Sequence, residues 1–474
     1  MQPRGGGANT RRAVGVMLFS RKDLTRLAAP AFAAGALVGT LLAVAFVGHP
    51  GSATGATKAT TKPAAVRPLA VRKAAFRRPD RVPFPADNPF SEAKRALGET
   101  LFYDPRLSAN DKVSCASCHD IAKGFADGAE KGQGVPGRAL ARHTPTLWNL
   151  AWGRAMFWDG RARSLEEQVS FPIQNPEEMA QPLDPLVAKL SAIPDYVSAF
   201  AAAFPDNPKV DQANLIKALA TYERTFVSPV TRFDRWVAGD DKALRADEVR
   251  GFDLFTGKAG CANCHSGWAF TDSAFYDIGL PGSDRGRGAV LRLPQVNFAF
   301  KTPGLRELTR SAPYMHDGSL KTLDDVVRHY ETGIVQRPTL PPELPRRLAL
   351  SDKERHDLIA FLQSLSSEQA PAVAAKVEAE TVAVTSPAVA VNTVAQIDKM
   401  FEPGHITIKR GSRLWIVNND SRTHNVRIFD DKLDFDSGAQ EPGEVVDLTF
   451  AQPGSYLMSC SIHPKMELHI DVTP

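Results

Sequence analysis

All five cysteines of this 474-residue chain lie in short motifs that also contain a histidine. Four of them form two Cys-x-x-Cys-His motifs, at residues 115–119 and 261–265. The fifth, Cys460, begins a Cys-x-x-His-x-x-Met loop near the C-terminus. No cysteine remains to form a disulfide, so we predict a redox protein with three one-electron centres.

The Cys-x-x-Cys-His motif is typical of covalent c-type haem attachment. Its two thiols add across the vinyl groups of haem, and the imidazole that follows binds the iron. A zinc or dithiol site is the alternative interpretation, but a histidine directly after both pairs favours haem. The predicted haem-binding residues are Cys115, Cys118, His119, Cys261, Cys264 and His265.

The C-terminal loop has the ligand spacing of a type 1 copper site, which needs a thiolate, two imidazoles and a weak axial thioether. Cys460, His463 and Met466 supply three of these, and His424 can supply the second imidazole from an earlier strand. Taken singly, each residue has an ordinary structural role as its alternative. Together they predict one copper ion bound by these four side chains.

The N-terminus predicts export from the cytoplasm. Residues 27–47 contain no charged side chain, are preceded by several Arg and Lys residues, and are long enough to span a bilayer. A membrane anchor in the inner membrane and a cleaved signal peptide both remain open. Either one places the following domains in the periplasm or elsewhere outside the cytoplasm. The net charge of +4 gives no reason to expect a nucleic-acid partner.

We predict a multidomain fold, with two mainly α-helical c-type cytochrome domains followed by a β-sandwich. Alternation of Ile406 and Ile408 with polar residues, and further apolar runs at 414–417 and 426–429, predict the strands of that sandwich. The predicted segments are 1–48 signal peptide or anchor, 49–80 flexible linker, 81–235 N-terminal cytochrome domain, 236–368 C-terminal cytochrome domain, 369–387 second linker, and 388–474 copper domain.

Four further motifs surround the haem sites in a fixed order: Leu101-Phe-Tyr-Asp-Pro-Arg-Leu-Ser108, Phe157-Trp-Asp-Gly-Arg161, Gln174-Asn-Pro-Glu-Glu-Met179 and Ala312-Pro-Tyr-Met-His-Asp-Gly318. With them, residues 85–366 resemble the bacterial di-haem cytochrome c peroxidases and their MauG-like relatives. Residues 388–474 resemble cupredoxins of the plastocyanin and amicyanin type.

The resemblance implies that the first haem reacts with hydrogen peroxide and that the second passes electrons. It assigns Glu178 to the distal catalytic glutamate, which moves a proton between the peroxide oxygens. It assigns Trp158 to the tryptophan between the haems. A solvated loop carboxylate and a core aromatic are the alternative interpretations of these two residues.

Two departures from the classical peroxidases stand near the first haem. Segment 131–137 has no histidine to block the iron, so we expect an open first haem, with Gln133 as a candidate distal group. His143 stands near the position of an asparagine that helps bind calcium in the family. Calcium between the haem domains is therefore left open.

A third departure concerns the second haem. A helix is expected over 322–330, because Thr322 and Asp325 form a capping pattern and apolar residues recur at helical spacing. That spacing turns Tyr330 inward and His329 outward. The family resemblance places an axial methionine of classical peroxidases, and a tyrosine of MauG-like proteins, at position 330. Met315 is the alternative sixth ligand.

Three functions follow. The first is an exported peroxidase that reduces hydrogen peroxide to water, with electrons relayed through the second haem and the copper domain. The second is a MauG-like oxidase in which a high-valent haem oxidises a protein or small molecule. The third is a non-catalytic electron-transfer or redox-sensing protein. A small cytochrome or cupredoxin is the expected redox partner, and the second linker would span roughly 25 Å as a flexible tether.

Overall fold

The computed structural model describes residues 68–474, apart from 136, 342–343, 345–347, 370–371, 374–377, 383–392, 398, 421 and 442–443. The predicted signal peptide or anchor, 1–48, lies outside the described residues. Within those residues no single helix is both long and apolar enough to cross a membrane. One pair, Leu183–Ser191 and Pro194–Ala203, meets the length and composition criteria jointly but is bent by 103°.

Short helices joined by long loops make up the described chain from Pro68 to about residue 365. In chain order the helices are α1 (Leu69–Ala74), α2 (Glu92–Tyr103), α3 (Cys115–Cys118), α4 (Leu165–Gln174), α5 (Leu183–Ser191), α6 (Pro194–Ala203), α7 (Gln212–Arg224), α8 (Arg232–Val237), α9 (Ala246–Thr256), α10 (Arg287–Leu291), α11 (Leu323–Arg328) and α12 (Asp352–Gln363). A π-helical turn, His329–Gly333, continues α11.

The strands are concentrated after residue 390. In chain order they are β1 (Val82–Pro85), β2 (Phe275–Tyr276), β3 (Phe300–Lys301), β4 (Ala379–Val382), β5 (Thr393–Ile397), β6 (Met400–Glu402), β7 (His405–Lys409), β8 (Arg413–Asn418), β9 (Arg427–Asp430), β10 (Leu433–Asp436), β11 (Val445–Thr449), β12 (Gly454–Ser459) and β13 (Glu467–Thr473). The predicted division into a helical region followed by a β-domain is confirmed.

Each haem motif has its own hydrophobic core. The first core packs α2 against α7 and ends at Phe226. The second packs α9 against α12, with the rings of Phe252 and Phe361 5.6 Å apart, and includes Phe233. The predicted boundary between 235 and 236 therefore falls inside α8, whose aromatic residues belong to the second core. The change of core lies a few residues earlier, between Phe226 and Phe233.

Both predicted linkers contain ordered structure. In the first, Phe76 is buried in the second core, and the ammonium of Lys73 lies 4.3 Å from the centre of the Trp236 ring. In the second, β4 pairs in parallel with β1. The flexible interpretation was wrong for these parts, because distant aromatic and backbone partners hold them in place.

The C-terminal domain is a sandwich of two sheets. One has the strand order β10-β9-β12-β13-β7 and the other β11-β8-β5-β6. Ile406, Ile416, Val446 and Leu468 are all 0% exposed in the core. Alternate residues face this core, as the period-two pattern predicts. The predicted copper ligands then fall at one end of the sandwich, on the segments that join its strands.

Candidate redox centres

The predicted copper ligands converge at the end of the sandwich. Sγ of Cys460 lies 3.7 Å from Nδ1 of His424 and 3.8 Å from Nδ1 of His463, and the two imidazole nitrogens are 3.0 Å apart. Ligand bonds of about 2.0–2.3 Å at near-tetrahedral angles place ligand atoms roughly 3–4 Å apart. Met466 is fully buried beside them. The donor set therefore fits one copper ion.

Neighbouring residues orient these ligands. Nε2 of His424 lies 3.1 Å from an Asp420 carboxylate oxygen, which fixes the ring with Nδ1 facing the site. The backbone N–H of Asn425 donates to Sγ of Cys460 at 3.5 Å. Burial lowers the pKa of both histidines and raises the pKa of the Cys460 thiol. Neutral imidazoles are the form that binds a metal, so burial favours the binding state of the histidines.

Sequence reasoning missed Asp420 and Asn425. Asn425 directly follows a predicted ligand, so its backbone amide was a candidate contact. Asp420 has no comparable signal, because its role depends on how the chain turns between β8 and β9.

The first haem motif places its residues on one short turn. Cys115 and Cys118 open and close α3, and His119 caps it. Nδ1 of His119 lies 2.8 Å from the carbonyl oxygen of Phe125, which leaves Nε2 for iron. The indole N–H of Trp148, packed on the Phe125 ring, is buried with no hydrogen-bond partner among the described residues. These features fit a covalently bound haem.

Glu178 is partly buried and lies near enough to the first motif for its charge to act on the Cys118 thiol. The side-chain amide of Asn175 donates to the Glu178 carboxylate at 2.9 Å, and the backbone carbonyl of Glu178 accepts from the amide of Val135 at 2.7 Å. Burial raises the pKa of this carboxyl, opposed by the Asn175 hydrogen bond and by the charge of Arg161. The Glu178 carboxyl therefore binds a proton more readily than an exposed glutamate does.

Gln133 is placed less favourably for a distal role. Its side chain is exposed, and its backbone carbonyl lies 3.8 Å from Sγ of Cys118. His143, in contrast, is buried, and its Nδ1 lies 2.8 Å from the carbonyl oxygen of Ala129. The roles of Gln133 and of calcium remain predictions.

A largely apolar cavity surrounds the second haem motif. Nδ1 of His265 lies 3.0 Å from the carbonyl oxygen of Phe270, so this imidazole also keeps Nε2 for iron. The walls of this cavity include the predicted attachment residues Cys261 and Cys264 and the three candidate iron ligands His265, Met315 and Tyr330. The cavity and its donors fit a second haem, with both candidate sixth ligands on its wall.

Tyr330 lies in the π-helical turn that follows α11. Burial raises the pKa of its phenol, and the neighbouring thiols Cys261 and Cys264 raise it further. π-Helical turns often occur at functional sites. The expectation that His329 is exposed was wrong: its side chain is buried, and its Nε2 lies 2.9 Å from the carbonyl oxygen of Ile278. The change from α to π geometry alters the rotation per residue, so helical phase no longer predicts which side faces out.

Trp158 also lines the second cavity. Its indole N–H donates to the carbonyl of His143 at 2.9 Å, and its own carbonyl accepts from the amide of Lys301 at 2.7 Å. Pro145 lies two residues after His143, and its backbone carbonyl is hydrogen-bonded to the imidazole of His119. Trp158 is therefore connected through one short segment to His119, the predicted ligand of the first haem, and it also borders the cavity of the second haem motif.

Comparisons with known proteins agree with this arrangement. Residues 92–242 match the family of di-haem cytochrome c peroxidases, and residues 389–473 match the copper-binding proteins of the plastocyanin and azurin family. The family matches imply two haems and one copper.

Individual relatives cover most of the helical region. The chain is 48% identical to the methylamine utilization protein MauG of Methylorubrum extorquens, over 67% of this chain and 90% of the relative. It is 36% identical to cytochrome c551 peroxidase of Pseudomonas aeruginosa, over 61% of this chain and 84% of that protein.

Solved structures of a MauG-like protein and of a di-haem peroxidase are also similar to this chain. The crystal structure of a MauG-like protein associated with microbial copper homeostasis aligns with a TM-score of 0.57 at 32% identity, covering 62% of this chain and 94% of that one. A di-haem peroxidase of Burkholderia thailandensis aligns with a TM-score of 0.52 at 26% identity, covering 64% and 94%.

Proposed function

Because the chain belongs to the family of di-haem cytochrome c peroxidases and MauG proteins, we propose that it is an exported oxidoreductase that reduces hydrogen peroxide to water. The observation that carries this proposal is the position of Glu178, partly buried beside the first haem motif with a raised pKa. Haem bound at His119 would supply the redox chemistry at which peroxide reacts.

Glu178 acts as the proton carrier in this proposal. Its carboxylate takes the proton from one peroxide oxygen and delivers it to the other, so that water can leave. Asn175 holds the carboxylate in place through the hydrogen bond to Oε1. Arg161 lies near enough to favour the ionised form that accepts the proton.

Electrons for the reaction come through the copper domain in this proposal. Reduction of one peroxide requires two electrons and two protons, so the copper centre supplies one electron twice. Trp158 lies where an electron would pass between the haem sites. A small cytochrome or cupredoxin outside the chain is the class of protein that would reduce the copper again.

The deciding experiment mixes the resting ferric protein with one equivalent of peroxide and measures peroxide consumption without prior reduction. We expect consumption by the native chain and a loss of about 10²–10⁴-fold in Glu178→Gln. Glu177→Gln is the matched control, since Glu177 is adjacent but exposed. A native protein that leaves peroxide untouched would favour electron transfer or redox sensing over catalysis.

Cys460→Ser tests the copper relay separately. It removes the thiolate ligand, so we expect slower steady-state turnover with a protein donor while the first reaction with peroxide keeps its rate. Unchanged turnover would exclude copper from the route.

A second candidate function rests on Tyr330. A tyrosine on the wall of the second cavity is the feature the sequence shares with MauG-like oxidases, which use the oxidised haem pair to oxidise another molecule. Storage of two oxidising equivalents for minutes after peroxide addition, followed by absorption spectroscopy, would support this oxidase role. Immediate return to the resting spectrum with a reduced donor would support the peroxidase.

A further inference from the structure

The copper-ligand loop, residues 460–466, is packed against the helical region. Ile462 and Met466 from the loop share one hydrophobic cluster with Ala155, Phe275 and Ala299 from the helical region. An apolar contact of this kind removes the loop from solvent and stabilises a fixed arrangement. The copper site therefore borders the same part of the molecule that carries Trp158.

One buried arginine joins the two sides of this contact. Arg287 is 6% exposed, and its Nε–H donates to the carbonyl of Ser461 at 2.9 Å. Its Nη1 donates to the carbonyls of Asp159 at 3.0 Å and Gly160 at 2.6 Å. Ser461 directly follows the copper thiolate, and Asp159 directly follows Trp158. One planar guanidinium thus connects the backbone beside each redox residue.

Polar contacts surround this apolar centre. Arg154 forms an ion pair with Glu467, the first residue of β13. The ammonium of Lys399 donates to the hydroxyl of Tyr276 at 2.6 Å, and that of Lys465 lies 3.3 Å from the carbonyl of Thr271. A buried apolar centre with a polar rim is the usual composition of a specific protein interface.

We propose that the copper centre is docked in cis against the Trp158 segment. Arg287 is the positioning residue that holds the two sides of this contact together, so that electrons pass across it between copper and the haems. The inference rests on the proposed function and specifies its electron route. Cys460, His424, His463 and Met466 would hold the copper, which would supply one electron per transfer by passing from Cu(I) to Cu(II) while the oxidised haem region accepts that electron. An external one-electron donor restores Cu(I) before the second transfer, so two electrons and two protons convert one peroxide to two waters.

Arg287→Met in the full chain, loaded with haem and copper, is the direct test. It keeps an unbranched apolar stem, shorter than that of arginine, but removes the hydrogen bonds to Ser461, Asp159 and Gly160. The loss of charge-assisted hydrogen bonds shifts an equilibrium by about tenfold or more. We therefore expect electron transfer from photoreduced copper to haem to slow by about tenfold. Arg285→Met is the matched control, since Arg285 is exposed on the same segment.

A second readout reports docking without electron transfer. Amide hydrogen exchange in residues 460–466 should be faster in Arg287→Met than in the native chain, and unchanged in Arg285→Met. The copper and haem absorption spectra should be the same in all three proteins. Those spectra separate a loss of positioning from a loss of cofactor.

A charge swap at the rim keeps the proposal testable even where Arg287→Met does not fold. Glu467→Arg places two cations together and should slow electron transfer and speed loop exchange. The double variant Arg154→Glu with Glu467→Arg restores the ion pair and should restore both quantities. A swap that rescues neither, or native-like rates in every variant, overturns the docked route.

The outcomes also separate this inference from the function on which it rests. Peroxide turnover that persists at the native rate in Arg287→Met, with unchanged electron transfer, removes the route and leaves the peroxidase. A native protein inert to peroxide, in which copper-to-haem transfer still depends on Arg287, removes the peroxidase and leaves the docked route.

Discussion

Gly160→Ala is the substitution whose effect can be worked out most directly from the geometry of the copper contact. Gly160 has φ +67°, and a Cβ there would overlap the ring of Phe275 and lie 3.0 Å from Nη1 of Arg287. A left-handed alanine costs about 1–2 kcal/mol, and overpacking costs about 1–3 kcal/mol. The smaller freedom of the unfolded chain returns about 0.4–1 kcal/mol. We expect a net destabilisation of roughly 1–5 kcal/mol.

A second glycine separates the two costs. Gly137 has φ +85° and no atom within 4 Å of the position a Cβ would occupy. Gly137→Ala therefore has the free-energy cost of a left-handed alanine without the cost of a steric overlap. In thermal unfolding, the melting temperature of Gly160→Ala should lie roughly 2–10 °C below that of Gly137→Ala. Copper-to-haem electron transfer should slow in Gly160→Ala alone, because the displaced Phe275 ring lies 4.5 Å from the Arg287 guanidinium. Equal melting temperatures in the two variants would refute the close packing from which this magnitude is derived.

Further predictions concern the individual centres. The second-order rate constant of the peroxide reaction should fall as the pH is lowered through the pKa of Glu178, because the protonated carboxyl cannot accept a proton from peroxide. Burial raises that pKa above the usual value for a glutamate. This decrease at low pH should be absent from the pH profile of Glu178→Gln. Asp420→Asn should weaken copper binding about 10–100-fold in competition titrations, since it removes the carboxylate on a copper-ligating imidazole. Tyr330→Met should raise the potential of the second haem in spectroelectrochemistry, whereas an unchanged potential would identify Met315 as the ligand. Inserting 20 Gly/Ser residues at 383–392 should leave copper-to-haem transfer within about twofold of native, whereas a tethered, undocked donor would slow with linker length.

Local spacing explains which features the sequence could predict. Two thiols and an imidazole within five residues, or a thiolate, imidazole and thioether within seven, bring their own atoms together with little help from the fold. The period-two pattern of Ile406 and Ile408 likewise reports the sheet directly. Phase counting failed at His329, because a π-turn interrupts the helix there.

Features that depend on distant partners could not be predicted from spacing. β1 and β4 are strands only because each pairs with the other across almost 300 residues of chain. Phe76 is ordered by an aromatic cluster that begins at Phe233. Arg287 has no motif of its own, and its importance comes from the three carbonyls that surround its guanidinium. Such contacts become visible once the fold has brought the segments together.

The buried copper-ligand loop changes how the fused domain should be understood. A tethered domain would exchange electrons at a rate set by encounters, and the linker would determine their frequency. Here Ile462 and Met466 lie in one hydrophobic cluster with residues of the helical region. Arg287 joins the backbone of Ser461, beside the thiolate, to the backbone of Gly160. On the proposed route, electron exchange between copper and the haems then depends on a fixed contact and not on linker length. The proposed route therefore predicts that an external donor reaches the copper domain by another face, because the loop with three of the four predicted copper ligands contacts the helical region of the same chain.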